Sequence, residues 1–468
     1  MEFDRLFFIM VFLPLFIGGF YLLKNSTFRN PYLLIASLLF YALADLAHFP
    51  VLLLLIVISY AFGRIINRKK GLYALYLLLV IAALSFFKYG NYCGESLRQY
   101  LTTLSFTKIA MPLGISFYTF SSISYISDVY YGKMEAEKSI WKLAAYLSFF
   151  PIVISGPLTR YEVFRNYYEK KEIESSSFAE GMRTFILGLA QKVIFANQLA
   201  LVTQKIFQSS TQLSFLLAAY GVIAFAIQEY YDFAGYSAMA IGLGKMVGIE
   251  IPENFNAPYF SHSISEYWRR WHMTLGRFFR DYLYIPLGGN RKGKLRTFLN
   301  TMAIFVISGL WHGNTWGFLL WGVINGLFVA LNAVFKEKYA ALRKALYIKE
   351  ESKIYRAFQI LRTDAIEFLL SALFFQCATI MERKKVLKAL LFRGSPFQMF
   401  YTRSLGVLAF LPLLFLAALM LFPKWKEVYA KMKAEHPLVT DVFLLTLLLV
   451  SILLSVSGSY TSFIYFNF

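Results

Sequence analysis

Long apolar runs alternate with short polar, mostly basic segments along almost the whole chain. The runs cover residues 6–23, 31–47, 49–63, 71–87, 109–127, 140–157, 179–200, 213–231, 235–249, 297–311, 315–335, 364–380, 404–422 and 438–457. Several fall short of the ~20 residues that a perpendicular membrane helix needs. Short or glycine-broken pieces of this kind suit tilted or re-entrant segments inside a bundle. The pattern predicts an all-α integral membrane protein with roughly eleven full crossings and one or two re-entrant segments. The stretch from Phe298 to Phe335 is almost uninterruptedly apolar. As one helix it would be roughly 57 Å long, about twice the hydrocarbon core of a bilayer. A break is therefore required, and the glycines of Gly309-Leu-Trp-His-Gly313, followed by Asn314, are natural places for it.

Composition points the same way. The 468 residues are 58% hydrophobic and 19% aromatic, with a mean hydropathy of +0.53, whereas soluble domains are about 45–50% apolar. The formal net charge is +20, which in a soluble protein would suggest nucleic acid. Here the cations lie in short loops between apolar runs, so positive-inside topology and contact with anionic membrane lipid account for them, and no nucleic acid is expected. The basic clusters Arg64–Lys70, Arg291–Arg296 and Arg383–Lys385 are expected on the cytoplasmic side. Lys336–Arg362 alternates charge with Leu, Ile and Phe and reads as an interfacial helix or helical loop. The first run, Leu6–Leu23, lacks a convincing cleavage site and reads as a retained helix. Cys93 and Cys377 form neither a disulfide framework nor metal-site spacing, and no metal is expected. Residues 1–468 read as a single polytopic domain.

Three places carry candidate chemistry. The first is residues 251–296, too polar to span and rich in aromatics, with Trp268, Trp271, Leu275, Phe279 and Tyr282 at helical spacing on one amphipathic face. One reading is an interfacial aromatic belt with snorkelling arginines. The other is a re-entrant wall of a cytoplasm-facing cavity, where His272, Arg269, Arg270 and Arg280 meet an anionic cytosolic cofactor. The second is a polar set inside an apolar run: Gln228, Asp232 and Tyr236 share a helix face, with Glu229 beside them. An acid at membrane depth must be paired or face water, so Asp232 is either a structural ion-pair member or a functional group. The third is His312, an ionisable side chain between two apolar runs. It is either satisfied by a backbone carbonyl or acts as a base near neutral pH. His48, His262 and His436 lie at loop edges. There is no G-x-S-x-G elbow, Walker loop, G-x-G-x-x-G or H-E-x-x-H. The aromatic tail at 458–468 reads as an interfacial belt on composition.

Taken together and in order, several motifs resemble the membrane-bound O-acyltransferase family, in its polysaccharide-acetylating branch. They are Phe87-Lys-Tyr89, Met111-Pro-Leu-Gly-Ile-Ser-Phe-Tyr-Thr-Phe120, Ser124-Tyr-Ile-Ser-Asp-Val-Tyr130 and Phe149-Phe-Pro-Ile-Val-Ile-Ser-Gly-Pro-Leu-Thr-Arg160. They continue with Tyr231-Asp-Phe-Ala-Gly-Tyr-Ser237, Pro252-Glu-Asn-Phe-Asn256, Trp268-Arg-Arg-Trp-His272, Tyr284-Ile-Pro-Leu-Gly-Gly-Asn-Arg291 and Gly309-Leu-Trp-His-Gly313. Ser121, Gln191, Asn197 and Ala238 depart from residues common in relatives, and none is a histidine position.

The resemblance implies a ring-like bundle around a funnel or tunnel, with His312 as the signature histidine and His272 important on the cytoplasmic side. It implies an acyl thioester donor such as acetyl-CoA, with Arg269, Arg270 and Arg280 near its phosphates, and Asp232, Asn254, Asn314 and Trp311 as supporting groups. It implies a bacterial inner-membrane, multi-pass location, and O-acetylation of an extracytoplasmic polysaccharide completed by a separate SGNH-type acetyltransferase partner. Tyr465 in the aromatic tail becomes a candidate acyl carrier. A phenol (pKa about 10) is a better leaving group than a sugar alcohol, so its ester keeps transfer potential. Direct O-acylation of a lipid or lipid-linked glycan, and a polymer or lipid transporter built on the broken helices, are the alternatives.

Overall fold

The computed structural model describes residues 2–98, 108–170, 174–208, 213–377, 379–392 and 406–458. Regular structure among them is entirely helical, and helix makes up 78% of the fold. Among the described residues, four helices are long and apolar enough to cross a membrane by length and composition: Lys70–Ser96, Ser176–Phe207, Trp316–Val334 and Pro437–Val456. Leu408–Met420 and Lys424–Glu435 form a pair bent by 80°, and Phe8–Leu23 and Phe49–Ile65 are shorter apolar helices. Large apolar side chains such as Leu15, Leu22, Leu54 and Leu78 are exposed on these elements. In a water-soluble protein that much exposed apolar surface would be a liability; against lipid it costs nothing.

The chain divides into two compact units. The first comprises Met1–Phe185, Ser237–Glu253 and Arg277–Tyr282. Its core is a cluster of phenylalanines, in which Phe150 packs against Phe12, Phe16 and Phe40 with ring centroids 4.9–5.5 Å apart. Pro151 stands at the start of the short helix Phe150–Val153, which separates the expected 140–157 span into pieces. Gly114, at φ 72°, turns the chain into the helix Ile115–Tyr130, and a Cβ there would lie 2.3 Å from the Val153 carbonyl. One polar network unites two of the sequence motifs with the turn at Asp281 and Tyr282. Tyr282 donates to Asp128 Oδ2 at 2.9 Å, Lys133 pairs with Asp128 Oδ1 at 3.0 Å, and Arg160 pairs with Asp281.

The second unit comprises Ile186–Tyr236, Asn254–Gly276 and Leu283–Phe468. The runs at 213–231 and 235–249, expected as separate spans, form one helix, Phe215–Met246, which contributes to both units. The glycine between those runs is a packing position, not a break. A Cβ on Gly235 would lie 2.7 Å from the Gly188 carbonyl and 2.9 Å from the Lys192 amide. Asp232, on this helix, forms a buried ion pair with Lys192 at 2.5 Å. Gln228 accepts from Thr203 at 2.6 Å and Glu229 from Ser371. The polar face read from the sequence is thus internally satisfied at these positions.

The segment expected to present one amphipathic face is two helices. Ile264–Arg270 stops, Trp271 is extended, His272 adopts φ 43°, and Met273–Phe279 begins a new helix. Trp268 and Leu275 therefore lie on different helices, and Tyr282 belongs to the π-helical turn Arg280–Tyr284. Bonds from the Asn256 amide to the Arg270 carbonyl and from the Met273 amide to the Asn254 carbonyl, both 2.9 Å, replace helical bonds at the break.

Candidate active site

The break in the long apolar stretch falls at His312. The helix Gly293–His312 ends on that residue, Gly313 is extended, and Trp316–Val334 follows. Of the two flanking glycines, only Gly313 is at the break. Gly309 lies where the two helices of this hairpin touch: a Cβ on it would be 2.4 Å from the Phe318 carbonyl, and one on Gly322 would be 2.4 Å from the Phe305 carbonyl. This backbone-to-backbone approach, of the kind small residues permit in membranes, draws the second helix against the histidine.

His312 is buried among aromatic rings. Trp321 stands edge-to-face with it at 4.9 Å and Phe375 at 5.1 Å, and the neighbouring Trp311 lies tilted at 4.6 Å. Phe375 comes from the π-helical turn Ala372–Gln376 at the end of the helix Lys353–Ser371. Single π turns inside helices recur at functional sites.

His272 also neighbours Trp311, with ring centroids 6.5 Å apart, and meets Phe233 edge-to-face at 4.7 Å. Its left-handed backbone is a conformation in which histidine is enriched. Asn254 defines its chemistry. The Asn254 Oδ1 accepts from the Thr274 amide at 3.3 Å and the Thr274 hydroxyl at 2.9 Å, and lies 3.0 Å from His272 Nδ1. An amide oxygen only accepts, so Nδ1 carries the proton and Nε2 the lone pair. Nε2 is buried without a hydrogen-bond partner among the described residues. Burial pushes the imidazole pKa down to about 3, so the ring is neutral at physiological pH.

The remaining sequence candidates separate. Arg270 is held by Glu266 at 2.6 Å. Arg269 is exposed and has no ion pair among the described residues. Arg280 belongs to the first unit and pairs with Asp281 at 2.7 Å. The three arginines are therefore not assembled around one point of the second unit. Asp232 is engaged with Lys192, and Asn314 is exposed in the turn after His312. Tyr465 lies outside the described residues.

One buried residue was overlooked in the sequence. Asn325, fully buried on the helix Trp316–Val334, accepts from Trp268 Nε1 at 3.1 Å and donates to the Trp321 carbonyl at 3.1 Å. Trp268 and Trp321 in turn meet edge-to-face at 5.4 Å. Asn325 thereby ties the helix that precedes His272 to the helix that packs on His312. The signal was an amide at the centre of an otherwise apolar run, which carries a second, Asn332, near its end.

The family model for the membrane-bound O-acyltransferases matches residues 72–347, which include both histidines. The chain belongs to this family. It is a membrane protein and an O-acyltransferase. It is 38% identical over 349 residues to a probable alginate O-acetylase of Azotobacter vinelandii, covering 72% of this chain and 69% of that protein. It is 32% identical over 369 residues to a peptidoglycan O-acetyltransferase of Helicobacter pylori, covering 70% and 69%. A teichoic acid D-alanyltransferase of Bacillus subtilis is 29% identical over 239 residues, 48% of this chain and 60% of that protein.

Proposed function

We propose that this O-acyltransferase takes an acetyl group from a cytoplasmic thioester, acetyl-CoA, and passes it across the membrane for O-acetylation of an extracytoplasmic polysaccharide. The observation that carries the reading is the pair of buried histidines flanking Trp311, one of them locked as a neutral Nδ1–H tautomer. The polysaccharide acceptor is supported by what the relatives are named for: alginate and peptidoglycan.

The two histidines divide the work. With a pKa near 3, His272 is a weak base at neutral pH, and its buried lone pair on Nε2 serves as a hydrogen-bond acceptor that orients a hydroxyl or amide of a substrate. His312 takes the proton. The acceptor hydroxyl loses it to His312 as its oxygen bonds to the thioester carbonyl carbon. The carbon–sulfur bond then breaks, and the imidazolium returns the proton to the departing thiolate. An ester and a free thiol result, with no net proton change. Trp311 shapes the space between the rings.

Tyr465 is the proposed first acceptor, its aryl ester handing the acetyl group to an SGNH-type acetyltransferase outside the membrane. The exposed Arg269 is the proposed contact for the phosphates of the donor. The chain is multi-pass in the bacterial cytoplasmic membrane, with about eleven crossings around a central tunnel and residues 251–296 toward the cytoplasm.

The test is acyl transfer from radiolabelled acetyl-CoA to the purified protein. Label on wild type that is lost in both His312→Ala and Tyr465→Phe is the expected result. Label retained in Tyr465→Phe moves the acceptor elsewhere. No label and no CoA release, even with membrane extract as acceptor, overturns the reading.

A further inference from the structure

Between the helix that presents Trp321 and the helix that leads to Phe375 lies a stretch that does not span. It comprises the helix Lys336–Ala345, a turn with Tyr347 at φ 51°, and the first turns of Lys353–Ser371. Both helices expose an apolar stripe at helical spacing. Tyr339, Leu342 and Leu346 form the first, and Ile354, Phe358 and Leu361 the second, with Ile354 84% exposed. Tyr347, in the turn between them, is 92% exposed.

The charges around these stripes do not cancel. Glu337 is taken by Lys294 at 3.0 Å and Glu350 by Arg343 at 2.7 Å. Lys338 lies over the Phe335 ring and Arg362 donates to the His262 carbonyl; Lys336, Lys344, Lys349, Lys353 and Arg356 are exposed, with no ion pair among the described residues, and Glu351 alone offsets them. An apolar stripe flanked by unbalanced cations is the arrangement that lies in a bilayer interface and attracts anionic headgroups.

We propose that residues 336–362 form a docking surface for anionic phospholipid. The aliphatic and aromatic stripe sinks to the level of the upper acyl chains, while the five cations engage headgroup phosphodiesters. A zwitterionic leaflet satisfies the stripe but not the cations, so the surface enriches anionic lipid around itself. Since the stretch joins two walls that pack on His312, bound lipid fixes the height of both helices in the bilayer.

The test uses the full chain in nanodiscs of phosphatidylcholine mixed with phosphatidylglycerol. Exposed Cys93 is removed by Cys93→Ser, and Tyr347→Cys carries an environment-sensitive fluorophore. Brominated phosphatidylglycerol is expected to quench the label several-fold more strongly than brominated phosphatidylcholine at equal mole fraction. High salt should reduce that preference. Replacing Lys336, Lys344, Lys349, Lys353 and Arg356 by Gln should bring the two lipids close to equal quenching, while acyl-transfer activity with saturating donor shows that the variant is folded. Equal quenching by the two lipids overturns the proposal in favour of an ordinary lipid-facing surface. No quenching by either places the stretch off the membrane and overturns it as well.

Discussion

Replacing Asn254 removes one oxygen on which three donors converge: His272 Nδ1–H, the Thr274 hydroxyl and the Thr274 amide. The hydroxyl can rotate to another acceptor, but the amide and the imidazole N–H cannot. An orphaned buried donor costs about 1–3 kcal/mol, so Asn254→Ala should lose roughly 2–4 kcal/mol of stability. With the lock gone, the His272 ring can also adopt the other tautomer or flip. That should lower kcat/KM by about tenfold to a hundredfold, the scale of one lost positioning contact. Asn254→Asp is the more discriminating change. It keeps an acceptor opposite Nδ1 but places an anion beside a buried imidazole, so the His272 pKa must rise from about 3. Wild type should then show no His272 limb between pH 5 and 8. Asn254→Asp should lose activity as pH falls through the raised pKa and recover above it. A pH profile of CoA release from acetyl-CoA, measured in one lipid composition, reads this directly. An Asn254→Asp profile that overlays the wild type would refute the assigned tautomer and the role given to His272.

The same depressed pKa has a consequence for stability. Since the folded protein holds His272 neutral while an unfolded chain protonates near pH 6.5, the unfolded state binds more protons below that value. Stability is complete above pH 6.5 and falls with decreasing pH, by about 2 kcal/mol between pH 6.5 and 5 from this group. His272→Gln should flatten that part of the melting-temperature profile.

Three further outcomes are expected. Gly309→Ala and Gly322→Ala each place a Cβ 2.4 Å from a carbonyl of the facing helix, so both should prise the hairpin apart, lowering the melting temperature and cutting acyl transfer at least about tenfold. Asn325→Leu should reduce kcat about tenfold by freeing Trp268 from the Trp321 helix, with Asn325→Gln recovering part of it and the donor KM changing little. Breaking the buried Lys192–Asp232 pair from one side, by Asp232→Leu, should cost about 3–5 kcal/mol, whereas the double change Lys192→Met with Asp232→Leu should recover most of that loss in a thermal melt and retain acyl transfer.

The helical class and the place of the break at His312 were legible because they follow from one-dimensional quantities: apolar run length against bilayer thickness, and glycine where a turn must occur. Glycine misled where its role was contact and not bending. Gly235 and Gly309 look like breaks in a sequence, yet both lie where two backbones approach within touching distance. The partner that decides between the two roles, Gly188 in one case and Phe318 in the other, is not a local property of the chain. The same holds for the aromatic segment: Trp268 and Leu275 keep helical spacing across a point where Asn254 and Asn256 replace the helical bonds.

The two histidines were both visible as expensive side chains, but their difference was not. A histidine in an apolar stretch reads the same whether it is a proton acceptor or a hydrogen-bond acceptor. What separates them is the company each keeps. Asn254 Oδ1, already committed to Thr274, leaves His272 only one tautomer, and burial removes most of its basicity. In the proposed mechanism the proton therefore moves elsewhere, and His312, at the end of its helix beside Trp311, is the remaining titratable group of the pair. Asn325 then acquires a purpose that burial alone does not give it. An amide in an apolar helix is retained at a cost, and here it holds the Trp268 ring against the helix whose Trp321 meets His312; in the proposed mechanism that contact supports the spacing of the two histidines.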